Sequence, residues 1–159
     1  IARRGLRFRA NRLTRSARDE GVLYATGTEN SGVSVFVQND RLVVDYNAFD
    51  DHTILESDIV LPDGDVTVVV AVRRGPSRTG MMHLLVDGTP AGSAELGLFM
   101  SMMSSVGPSI GEDHGSAVSQ RYRAPFAFTG TLHEIEIQLL SREDAEARDA
   151  IARAEMSRQ

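Results

Sequence analysis

Residues 32–47 read GVSVFVQNDRLVVDYN, and this stretch decides the fold. Val33, Val35 and Val37 alternate with Ser34, Phe36 and Gln38, while Leu42, Val44 and Tyr46 alternate with Val43, Asp45 and Asn47. A period of two is the signature of a strand, because successive side chains leave a pleated backbone on opposite faces. Between the two runs, Asn39-Asp40 supplies the short polar turn of a hairpin.

The same grammar extends outward. Leu6, Phe8 and Ala10 alternate with Arg7 and Arg9, which turns one face of a first strand inward and its arginines outward. Pro62-Asp63-Gly64 forms a turn, since proline fixes one dihedral and glycine permits positive φ. The run Val66 to Val72 reads as a strand buried on both faces. Leu84, Leu85 and Val86 lead into the hairpin signal Asp87-Gly88, and Thr89 to Leu96 returns. Ile135, Ile137 and Leu139 alternate with Glu134, Glu136 and Gln138. Short strands at this spacing, each closed by a turn, predict an all-β antiparallel sandwich over residues 1–140. One segment departs from the period. Ser141 caps a helix expected over about 142–157, with Glu143 and Glu146 early, Arg153 and Arg158 late, and a thin stripe of Ala147, Ala150, Ile151 and Ala154. Residues 141–159 are expected to pack on the sandwich or to extend from it.

Composition removes several classes of function. The 159 residues contain no Cys, which excludes disulfides, thiolate zinc sites and cysteine nucleophiles. The longest apolar run, Val66 to Val72, falls far short of the roughly 18 residues a membrane helix needs. The Arg-rich opening leads into no apolar segment of a signal peptide, and a chain starting at Ile1 reads as a soluble fragment of something longer, of open compartment. Residues 1–18 hold seven Arg and no acid, whereas the rest holds ten Arg against 22 acids, for a net charge of −5. That acidic remainder repels phosphate and argues against nucleic acid as a partner.

Several constellations invite chemistry. Gly107-Pro108-Ser109-Ile110-Gly111 matches G-x-S-x-G, but the nucleophile elbow needs a strand-to-helix turn above a parallel sheet, and loop formers follow here. Glu134 and Glu136 lie about 7 Å apart on one strand face, as paired carboxylates of a sandwich glycosidase would, yet the next position in that row is Gln138. His52, His83, His114 and His133 are too scattered for a zinc site, and Asp50-Asp51 and Glu112-Asp113 lack the spacing of a calcium loop. The Met-rich run Leu98 to Met103 is adaptable apolar surface, either core or a docking patch.

The run Ser109-Ile110-Gly111-Glu112-Asp113-His114-Gly115-Ser116-Ala117-Val118-Ser119, then Tyr122, Ala124-Pro125-Phe126 and Phe128-Thr129-Gly130-Thr131-Leu132, resembles the C-terminal β-sandwich of a group of bacterial arylsulfatases. That family has I-G-R-D-x-G-S-P-V-S followed by Y-x-x-P-F-x-F-T-G-T-I. Gly21-Val22-Leu23, Gly32-Val33-Ser34, Asp45-Tyr46-Asn47 and Leu85-Val86-Asp87-Gly88 with Gly92 are similar landmarks, so the likeness spans about residues 6–140. Glu112 stands where the family has Arg, and Ala117 where it often has Pro.

The resemblance implies a concanavalin A-like, laminin-G-like jelly roll. It also implies a non-catalytic accessory domain whose partner is the N-terminal sulfatase catalytic domain of the same polypeptide. This chain has no cofactor of its own on that reading: the formylglycine and the divalent metal belong to the catalytic domain, since no C/S-x-P-x-R motif occurs here. The resemblance suggests Asp113, His114, Ser116 and Tyr122 as loop binding residues, with Phe99, Met100, Met102 and Met103 as a docking surface. A free-standing lectin-like module is the alternative, because jelly rolls bind sugars through loops at one end or on a concave face.

Overall fold

The computed structural model describes residues 5–100 and 108–140. Ten strands follow in chain order: β1 Gly5–Arg15, β2 Gly21–Gly27, β3 Gly32–Gln38, β4 Arg41–Ala48, β5 Asp51–Val60, β6 Gly64–Arg74, β7 Gly80–Val86, β8 Thr89–Leu96, β9 Ser109–Ile110 and β10 Thr131–Leu140. Among the described residues the only helical element is a 3-10 turn at Pro76–Arg78. The expected helix over 142–157 lies outside the described residues.

The strands form two five-stranded antiparallel sheets, ordered β10-β1-β6-β7-β8 and β5-β4-β3-β2-β9. Alternation sets which face each strand buries. Leu6, Phe8 and Ala10 of β1 point between the sheets beside Val68, Val70 and Val72 of β6, and meet Val33, Val35 and Val44 of the other sheet. Phe8 stacks on Tyr24 with ring centroids 5.8 Å apart, which pins β1 over β2. On the opposite flank Leu55 of β5 packs beneath β8, where Gly92 (φ 145) lets the backbone approach it. The turns behave as their residues require. Asn39 and Asp40 adopt φ of 53° and 60°, and Asp87 and Gly88 adopt 49° and 79°, the left-handed pairs that match the twist of a hairpin.

Two features go beyond the simple alternation. In β3 and β4, Ser34, Phe36, Val43, Asp45 and Asn47 point away from the inner core, yet all are buried. Residues 111–130 cover them, and Phe36 and Val43 join Val22 and Ala25 in a second apolar cluster beneath Tyr122 and Phe126. In β10, Ile137 (39% exposed) and Leu139 (47%) face inward as the alternation demands. They remain half open because β10 is the edge of its sheet.

Candidate functional site

The covering segment is tied down along its length. Gly111 N–H donates to the Leu23 carbonyl at 3.0 Å, Val22 N–H to Phe126 O at 2.8 Å, and Thr129 N–H to Glu20 O at 3.0 Å. Gly21 allows this approach, since a Cβ there would sit 2.4 Å from Ala127 O. The segment passes back over the Glu29–Asn30 turn between β2 and β3. There Ser116 Oγ accepts from Glu29 N–H at 3.0 Å.

Beneath it lies a polar network on the outer face of the second sheet. Tyr122 donates its only hydroxyl proton to Asp113 Oδ2 at 2.7 Å, so Ser34 Oγ, 2.8 Å away, must donate to the Tyr122 oxygen. Asp113 also accepts from Val118 N–H at 3.0 Å. Burial, more than any neighbour, drives the Tyr122 hydroxyl pKa upward, so it stays a proton donor. Asn47 donates to the carbonyls of Glu29 (2.8 Å) and Val118 (3.2 Å) and accepts from Asp50 N–H (2.8 Å), joining three loops through one amide. His52 Nδ1 reaches both oxygens of the fully buried Asp45, at 2.8 and 3.1 Å.

These loops enclose a cleft of about 460 Å³ lined by Glu29, Asn30, Asp50, Ala117, Ser119, Gln120 and Tyr122. The lining offers carboxylates, side-chain amides and hydroxyls around one aromatic ring, a set that matches hydroxyl-rich ligands. Three loop ends supply it: the β2–β3 turn, the two-residue β4–β5 turn Phe49-Asp50, and the covering segment. The first two lie side by side, with Asp50 N–H donating to Asn30 O at 3.1 Å.

The sequence candidates divide. Tyr122 lines the cleft, Asp113 sits behind it as the acceptor that orients the Tyr122 hydroxyl, and Ser116 fixes Glu29 in the wall. His114 is exposed on the same covering segment and is not among the cleft-lining residues. Phe99 and Met100 are 8% and 6% exposed in the core, where Phe99 stacks on Tyr46 and Met100 N–H donates to the Tyr46 hydroxyl at 2.8 Å. Of the two alternatives that the Met-rich run left open, core or docking patch, these two residues take the core position. Met102 and Met103 lie outside the described residues.

Ser109 is on an edge strand with its hydroxyl given to the Glu112 carbonyl at 2.6 Å, and Glu134 and Glu136 face Arg12 and Arg9 across β1. Among the described residues no group of three or more His, Asp or Glu side chains is placed to hold a metal ion. Sequence reasoning missed Glu29, Asn30, Ser119 and Gln120 as site residues and weighed Asp50 only as a calcium ligand, because only the fold brings their loops together.

Neither a family model nor a curated protein matches the chain. Solved structures do. The mouse laminin alpha1 chain, domains LG4-5, aligns with 88% of this chain at a TM-score of 0.64 and 18% identity. This chain spans only 37% of that one. The CBM40 of the Ruminococcus gnavus IT-sialidase bound to alpha2,6 sialyllactose aligns with 92% of this chain and 83% of its own, at 0.62 and 15% identity. The K499G mutant of the NanB sialidase from Streptococcus pneumoniae gives 0.61 and 13% identity over 89% of this chain and 23% of its own. At such identities the likeness establishes the fold, and none of these three structures is a sulfatase. The chain is a two-sheet antiparallel β-sandwich whose fold is similar to that of the laminin LG and CBM40 domains.

Proposed function

We propose that this chain is a non-catalytic carbohydrate-binding module whose ligand enters the cleft at the loop end. The observation that carries the reading is the lining itself: amides, carboxylates and hydroxyls converge from three loops held on a rigid sandwich. A similar sandwich was solved with a bound sialylated sugar, which supports the class of ligand. Isothermal calorimetry against a panel of oligosaccharides tests it. Binding in the micromolar to millimolar range, weakened several-fold by Gln120→Ala or Asn30→Ala, is the expected result. A flat trace across the panel overturns the reading.

The accessory-domain reading rests on the order of the sulfatase-like motifs. Those motif residues have local duties: Asp113, Tyr122 and Phe126 hold the covering segment to the second sheet. Specific association with a sulfatase catalytic domain, without glycan binding, would favour that reading over ours.

A further inference from the structure

The charge and the turn geometry of the cleft narrow its ligand. Glu29 and Asp50 both line it, and no arginine does. The Asp50 side chain is 72% exposed, so its charge is open to a ligand. On its inner side His52 Nε2 lies 3.5 Å from Asp50 Oδ1, buried and without a hydrogen-bond partner. An anionic sugar would meet two like charges here, whereas a protonated amine would meet two opposite ones.

Beside Asp50 in the same turn stands Phe49, 70% exposed, the most open of the large apolar side chains among the described residues. Its φ is 53°, a region that bulky residues rarely enter and that glycine or asparagine fills with less strain. The equivalent turn between β3 and β4 uses Asn39 and Asp40. Phe49 therefore sits where a smaller residue would serve the hairpin better, and its ring packs on little within the chain. Phe49 does not itself line the cleft but adjoins Asp50, which does. An exposed aromatic face can stack on the apolar face of a sugar ring, and its quadrupole attracts an adjacent cation.

We infer that the cleft selects a pyranose bearing a free, protonated amine, with Phe49 as the platform and Asp50 and Glu29 as the counter-charges. This rests on the carbohydrate-binding reading and sharpens it. Three oligosaccharides that differ only at C2 separate the two claims: tetramers of glucosamine, N-acetylglucosamine and glucose. Each is titrated into the full chain at about pH 6, where the amine is protonated.

The glucosamine tetramer should bind about tenfold tighter than the other two, and the advantage should shrink as salt rises to about 0.5 M. Asp50→Asn combined with Glu29→Gln should level the three affinities, while Phe49→Ala should weaken all three by about tenfold. Circular dichroism of each variant checks that the sandwich is intact. Equal affinities for the three tetramers, or tighter binding of sialyllactose, would overturn this inference and leave the carbohydrate reading standing. Failure of every sugar to bind would overturn both.

Discussion

Phe49 sets a conflict between conformation and exposure at a single residue. Its left-handed backbone is unfavourable for a side chain with a Cβ, and 70% exposure returns little burial energy. Phe49→Gly should therefore raise stability by about 1 kcal/mol, read as a higher urea midpoint at constant slope, while weakening the ligand. Tyr122 shows the reverse balance. Tyr122→Phe removes one of two donors to the buried Asp113 and leaves Ser34 without its acceptor, and should lower stability by about 1–2 kcal/mol in the same assay. The composition, with no Trp and three Tyr, shows few aromatic side chains of the kind that serve as sugar platforms. It could not reveal that a Phe would be held in the open, because that follows from a turn in which Phe49 takes a left-handed conformation.

Elements built from alternation were legible, and elements built from irregular chain were not. The β3–β4 hairpin, the β7–β8 hairpin and the twice-buried β6 appear where the period and the turns place them, apart from a half-buried Thr67. Residues 111–130 carry almost no period, since their backbone pairs through scattered single hydrogen bonds. Their consequence is large. They convert the outer face of β3 from solvent surface into a second core, where Phe36 meets Tyr122 edge-on at 5.1 Å. Phe36→Ala should thus lower stability by about 3–4 kcal/mol, as for a core phenylalanine, in equilibrium urea unfolding. A change below 1 kcal/mol would mean that the covering segment is not seated. The candidate site was half visible for the same reason: Tyr122, Asp113 and Ser116 stood in one suggestive run, whereas the residues opposite them come from turns distant in sequence.

At the scale of the whole molecule, stability toward acid is set near one end of β1. Asp40 accepts from Arg18 N–H and from the buried Arg15, Asp19 accepts from Ser16 N–H and the Thr129 hydroxyl, and Asp65 accepts from the Thr14 hydroxyl and Arg12. Those hydrogen bonds, with the arginine charges, lower all three carboxyl pKa values below the ordinary 3.8. A depressed native pKa makes the unfolded chain the better proton acceptor. The stabilisation is therefore complete above about pH 4 and is lost as the pH falls through the native values. The urea midpoint should decline below about pH 4, and Asp40→Asn should flatten that decline while lowering the plateau at neutral pH.

Gly5 faces Leu140 across the β1–β10 pair, so the earliest and latest described strands are neighbours in one sheet. On the ribosome, β1 emerges with one flank waiting until nearly the whole sandwich has been translated. Its exposed flank must stay soluble through that interval, and the arginines that alternate along β1 supply the charge that discourages premature pairing with other nascent chains.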